Sequence, residues 1–278
     1  MLTAFPRTTV GGVSVSRLVI GTNWFLGWSH TSAAKDKLIR GSQTRQTIAQ
    51  ILDVFLQHGI DTLVGPVHPL LAEAIQEAQQ RSGRKLIQIL TPGFNIVPGG
   101  APENELDPVL DRTRAAGATF CLPHQCVTDA LIDRRDNVIR DWSRIAPAIR
   151  SRGMIPGLST HLPEAISIAD KSGADVATYI TIYNAAGFMM PLEADWTMRI
   201  IVTAKLPVLT IKPLAAGRLL PPVGLAFAWN TIRDCDMVAV GTLTPDEARE
   251  VIDLSCAFLD RRLPQNELQT TRSKKGLL

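Results

Sequence analysis

Thr119-Phe-Cys-Leu-Pro-His-Gln125 reads as a buried strand that stops abruptly at a proline, a histidine and an amide. If this is one strand of a parallel barrel, its polar tip lies at the carboxyl end, the face on which such barrels carry their chemistry. The same arrangement repeats outward in both directions. Upstream, Thr62 to Val67 leads into an apolar-faced helix from Pro69 to Arg81, and Leu86 to Leu90 leads through a Pro/Gly-rich loop to a helix from Glu105 to Ala116. Downstream, a helix over Asn137 to Ser151 follows the quoted strand. Then come Ile155 to Leu158 with helix Pro163 to Lys171, Val176 to Ile182 with Leu192 to Thr203, Val208 to Ile211 with Val223 to Ile232, and Val238 to Val240 with Pro245 to Leu259. With a first strand at Arg17 to Trp24 and a helix from Ser42 to Gly59, eight strand–helix units result. Short strands alternating with helices predict a parallel sheet, and eight of them in one chain of this length predict a closed (β/α)8 TIM barrel. Two β-prone runs around Gly11-Gly12 predict an N-terminal hairpin that plugs one end. The barrel is expected over residues 1–263, with 264–278, including the basic Arg272-Ser-Lys-Lys275, as a solvated tail.

Composition narrows the functional classes. The chain has 278 residues, 45% hydrophobic and 20% charged, with a net charge of only +3, and no Lys/Arg cluster is interleaved with aromatics, so nucleic acid is not an expected partner. No apolar run reaches the roughly 20 residues that span a bilayer, and no signal-peptide pattern opens the chain. Cys121, Cys126, Cys235 and Cys256 show no paired spacing, which favours a reducing, cytoplasmic setting and a small-molecule partner. Oligomeric state is not readable from these features.

Several motifs resemble a known family. Val13-Ser-Val-Ser-Arg-Leu-Val-Ile-Gly-Thr22, Gly157-Leu-Ser-Thr-His161 with Pro163-Glu164, Tyr183-Asn184, Lys212-Pro-Leu-Ala-Ala-Gly217 and Val240-Gly-Thr242 followed by Pro245 are similar, in matching order, to the aldo-keto reductases. That resemblance implies a reductase barrel in which an Asp and a Tyr after the second strand, a Lys ending the third and a His ending the fourth protonate a carbonyl as hydride arrives. Here Val64 stands for the Asp, His68 or Pro69 for the Tyr and Thr91 for the Lys; only the histidine is matched, as His124. The device depends on a lysine and a carboxylate lowering the pKa of a phenol, and those three groups are missing. On the cofactor side the resemblance places Ser159 near a nicotinamide amide, and Leu214, Gly217, Gly241, Thr242 and Thr244 in the loops around a pyrophosphate. Thr160 replaces the usual Asn, Ile180 the usual Gln, and Leu243 stands where a basic residue often grips the 2′-phosphate of NADP. Thr244 with Glu247 also forms a capping box, so a helix N-terminus is available to an anion. NAD(P)H is compatible with this pattern without being required by it.

Histidine fills the expected rim instead. His30, His68, His124 and His161 follow strands one, two, four and five, while His58 ends a helix on the other side. Each taken alone reads equally well as an ordinary loop or buried histidine; together they suggest acid–base work, or ligation of a divalent metal for which no rim Asp or Glu completes the set. Lys212 ends the seventh strand toward the same face, where a desolvated amine could act as nucleophile or anion ligand, although a loop variant is the simpler account. Trp24 and Trp28 could stack on a substrate, and Asn23, Gln125 and Asn184 could bind hydroxyls. The expectation from the residues is histidine-based proton transfer, of lyase, hydratase or isomerase type, on a small polar carbonyl compound or sugar. The alternatives are an NAD(P)H-dependent aldo-keto reductase with an altered catalytic set and a catalytically silent binding protein.

Overall fold

The hairpin that opens the chain, β1 (Arg7–Val10) and β2 (Val13–Ser16), is antiparallel, with Thr8 opposite Val15 and Val10 opposite Val13. In the computed structural model, which describes residues 4–264, Val10 and Val15 are buried in the cluster that fills the barrel interior, with Val19, Phe120, Leu209 and Met237. The turn at Gly11 packs on Ile155 and Ala177, which lie where two barrel strands begin, so the hairpin closes the amino-terminal end as expected.

From there the chain runs β3 (Leu18–Gly21), α1 (Ala33–Ser42), α2 (Arg45–Gln57), β4 (Thr62–Gly65), α3 (Pro69–Ser82), β5 (Ile87–Leu90) and α4 (Leu106–Ala115). Next come β6 (Phe120–Cys121), α5 (Gln125–Leu131), β7 (Ile132–Asp133), β8 (Val138–Ile139), α6 (Trp142–Arg150), β9 (Ile155–Pro156), β10 (Leu158–Ser159) and α7 (Glu164–Ser172). The last units are β11 (Tyr179–Ile182), α8 (Ala194–Thr203), β12 (Val208–Ile211), α9 (Pro221–Thr231), β13 (Met237–Val240) and α10 (Pro245–Leu259). Nine parallel segments form the sheet, and the last pairs with the first, Ala239 opposite Val19. The fifth stave is split at Gly157: Ile155 pairs with Phe120, and Ser159 pairs with Ile180. A Cβ on Gly157 would lie 2.7 Å from the Thr178 carbonyl and 2.8 Å from Leu122, so the bend needs a residue without a side chain.

Several of the helices form by presenting one apolar stripe to this barrel. On α2, Ile48, Ile51, Leu52 and Phe55 are fully buried, each contributing about 2 kcal/mol of burial, and Thr44 and Thr47 form a reciprocal cap at its start. Two expectations need correcting. The loop after the first strand holds a helix, α1, whose start is capped by the Ser32 hydroxyl accepting from the Lys35 amide at 3.1 Å; Trp24 sits in a 3₁₀ turn rather than in the strand. The helix expected from Asn137 begins at Trp142, because the hairpin β7–β8 intervenes, its turn held by the Asp133 carboxylate accepting from the Arg135 and Asp136 amides. The basic stretch Arg272 to Lys275 lies outside the described residues.

Candidate active site

At the carboxyl ends of the strands lies a cavity of about 740 Å³, a size suited to a metabolite or cofactor. Its floor is apolar, with Val64, Ile180, Ile211 and Ala239. His30, His124, His161 and Lys212 line the cavity close enough to influence one another, with Trp28 also in the lining and Trp24 beside Gly241. The lining continues through Pro213, Leu214, Gly217, Leu220 and Pro221 and through Gly241 and Thr242 to Glu247, Glu250 and Val251 on α10.

His124 is set by the break at Pro123. Its backbone amide donates to the Pro92 carbonyl at 2.8 Å, and the residue then serves as the N-cap of α5. Its Nδ1 lies 3.1 Å from Cys126 Sγ and accepts from the Cys126 amide at 3.4 Å. Burial pushes the Cys126 thiol pKa up, so the thiol keeps its proton and donates as well. With Nδ1 accepting, the neutral ring carries its proton on Nε2. Burial also lowers the His124 pKa, opposed by Asp129 and reinforced by Lys212.

His161 follows the fifth stave. Its backbone amide donates to Asp129 Oδ2 at 3.1 Å, and the Thr160 hydroxyl donates to Oδ1 of the same carboxylate, tying this loop to α5. Burial, then the neighbouring Lys212, His124 and His30, lower the His161 pKa to about 4. His30 is placed by Asp36 of α1, whose Oδ1 accepts from the Ser29 amide and hydroxyl at 2.9 and 2.5 Å; burial and Lys212 lower the His30 pKa. Burial alone lowers the Lys212 pKa from 10.5 to about 8, and no carboxylate pairs with it among the described residues. Four non-glycine residues lining the cavity, His30, Met189, Lys212 and Ala216, have left-handed backbones, with φ of 56°, 58°, 61° and 55°. For Lys212 this is doubly unfavourable, since the residue before a proline is pushed toward extended conformations.

The structure therefore brings together His30, His124, His161 and Lys212, with Trp24, Trp28, Asn23, Gln125, Ser159, Leu214, Gly217, Gly241 and Thr242 around them. It does not bring in His68, Asn184 or Thr244. His68 turns away after Pro66 to become the N-cap of α3, with its Nδ1 buried and unpartnered. Asn184 is fully buried and clamps its own loop, accepting from the Phe188 amide at 2.9 Å and donating to the Phe188 carbonyl at 3.1 Å. Thr244 caps α10, accepting from the Glu247 amide at 3.1 Å, while the Glu247 carboxylate accepts from the Leu243 amide at 2.6 Å. One amide of the helix N-terminus expected to suit an anion, that of Glu247, is thus already taken by a side chain of the chain itself. Asp129, Met189, Glu247 and Glu250 enter the site without having been singled out as site residues. Asp129 was findable as a carboxylate a little over a turn beyond His124, but only once α5 was recognised as a helix. No group of three or more His, Cys, Asp and Glu side chains among the described residues is placed to hold a metal ion.

No family model matches the chain, and no curated protein matches it in sequence. Solved structures do match it in shape. A protein assigned to the aldo-keto reductases from Pseudomonas aeruginosa superposes with a TM-score of 0.66 at 15% identity, covering 93% of this chain and 99% of the other. An aldo/keto reductase from Brucella melitensis gives 0.57 at 12% identity, covering 94% and 99%. An aldo/keto reductase from Klebsiella pneumoniae, solved with NADP and acetate, gives 0.55 at 16% identity, covering 94% and 92%. The chain has the aldo-keto reductase fold: a parallel (β/α)8 barrel behind an N-terminal hairpin. These likenesses also correct the expectation of lyase, hydratase or isomerase chemistry. The structural neighbours are reductases, one of them solved with NADP, and they favour the reductase alternative. Of the four rim histidines that prompted the first expectation, His30, His124 and His161 line the cavity and His68 does not.

Proposed function

We propose that this chain is an NAD(P)H-dependent oxidoreductase of aldo-keto reductase type with an altered proton-donating set. The observation that carries this reading is the continuity of the cavity from His124 to the loops at Pro213–Pro221 and Gly241–Thr242, with the Thr242 hydroxyl buried on that path and lacking any partner. An orphaned buried hydroxyl beside glycine-bearing loops fits a polar, extended ligand such as a dinucleotide. Ser159, Leu214, Gly217, Gly241 and Thr242 would hold it, and when bound it supplies a hydride to a carbonyl carbon.

The positions that in the family carry the Asp and Lys are Val64 and Thr91, both lining the cavity and neither ionisable. The remaining donor suited to the carbonyl oxygen is His124 Nε2, since Nδ1 is engaged with Cys126. A neutral imidazole that donates from Nε2 stabilises the developing negative charge on oxygen and delivers its proton there. Titration of the protein with NADH and with NADPH, read by nicotinamide fluorescence, should saturate for at least one of them, and two flat titrations would remove the proposal. His124→Gln should lower turnover by roughly 100-fold while leaving the melting temperature nearly unchanged. A large fall in melting temperature with activity retained would mean that His124 is structural.

A further inference from the structure

The cavity is polarised. Among the described residues its only lining carboxylates, Glu247 and Glu250, are on α10, whereas the other ionisable groups lining it are bases: His30, His124, His161 and Lys212. The nearest carboxylates behind these bases are already committed. Asp129 accepts from the Thr160 hydroxyl and the His161 amide, and Asp36 accepts from Ser29. Among the described residues Lys212 pairs with no carboxylate; it is partly buried on a strained backbone, and His30 on a second strained turn lines the same end of the cavity. Strain kept at two independent loops that converge on one space is a mark of a ligand site, and a partly buried cation without a counter-ion suits an anion.

We infer that Lys212, flanked by His30 and His161, forms an anion subsite that holds the carboxylate of a small oxo-carboxylate substrate. The inference rests on the reductase reading for its chemistry. A hydride adds to the carbonyl carbon, a proton adds to its oxygen, the nicotinamide is oxidised, and the product is the hydroxy acid with its carboxylate unchanged. The apolar faces of Trp24, Trp28 and Ile180 suit the short carbon chain, and the distance between the subsite and His124 sets which oxo acids place their carbonyl correctly. Lys212 and its two histidines come from three different loops, after β12, β3 and β10, so the subsite exists only in the closed barrel.

The test uses the full chain and two isosteric probes, butanoate and butanamide, titrated at pH 7 by tryptophan fluorescence. Butanoate should bind about tenfold or more tightly than butanamide, as a charge-assisted contact requires. Lys212→Met should abolish that preference while NADH affinity stays within about threefold, and His161→Gln should reduce it. Equal affinity for the two probes in the unmodified protein overturns the inference. So does a preference that survives in Lys212→Met, in particular with a large loss of NADH affinity, which would assign the lysine to the phosphates of the dinucleotide. If Lys212→Met loses both, His161→Gln decides: a reduced preference with NADH affinity retained supports the subsite, and an unchanged preference overturns it. A flat NADH titration combined with a lysine-dependent preference for butanoate would remove the reductase reading and leave the subsite standing.

Discussion

Lys212 stands in a conformation that neither its own side chain nor the following proline favours, and its side chain is partly buried. Burial takes its pKa from 10.5 to about 8 in the folded chain. Between those two values the unfolded chain binds a proton that the folded chain does not, so stability should rise with pH across that window, with the full penalty present below about pH 8. The neighbouring His30, His124 and His161 all have lowered pKa values and are neutral there, so they add no slope of their own. Lys212→Met should therefore be more stable than the parent at pH 7 by at most roughly 3 kcal/mol, with the gain shrinking above pH 8 and gone above pH 10.5. Urea unfolding at a series of pH values measures this directly. Parallel curves for the two proteins would show that the amine reaches solvent in the folded state.

Among the elements, α5 matters most to the site and was the one least readable beforehand. It is a seven-residue helix starting directly from the strand end, followed at once by the β7–β8 hairpin, and too short to show a helical repeat of apolar residues. Through Asp129 it fixes the turn after β10, and with it the backbone of His161. Asp129→Ala leaves the His161 amide without its acceptor and the Thr160 hydroxyl with the Leu162 carbonyl alone, and should cost about 1–3 kcal/mol. Asp129→Asn, which keeps one acceptor oxygen, should cost less. Thermal unfolding of both variants tests the ranking; an alanine variant as stable as the parent would show that water replaces the carboxylate and that α5 does not hold the loop.

On the scale of the whole molecule, the polarity of the cavity bears on which dinucleotide the proposed reductase would prefer. The α10 end offers the Glu247 and Glu250 carboxylates, and its Glu247 amide is already taken by the Thr244 hydroxyl, so a 2′-phosphate would meet like charge, whereas a ribose hydroxyl could donate to a carboxylate. NADH should bind about tenfold more tightly than NADPH, and Glu247→Gln should narrow that ratio chiefly by improving NADPH. Competitive fluorescence titration gives both constants. NADPH binding as tightly as NADH would mean that the cofactor runs elsewhere than toward α10.

The repeating strand–helix pattern was legible in the chain itself because its signals are local. Short apolar runs such as Val208–Ile211, and glycines in left-handed caps such as Gly83 and Gly173, are satisfied within a few residues of where they stand. The hairpin and the barrel followed from those signals together with the motifs that resemble the aldo-keto reductases, and so did the placing of His124 after the fourth strand. Which histidines meet did not. His30 and His68 both follow barrel strands, yet a left-handed turn held by Ser29 and Asp36 carries His30 into the cavity, while the Pro66–His68 turn feeds His68 into the start of α3. The cationic end of the cavity joins residues 30, 161 and 212, which closure of the barrel alone makes neighbours. Their lowered pKa values and the unpaired lysine are properties of that shared burial, because desolvation depends on what surrounds a group in space and not on what adjoins it in the chain.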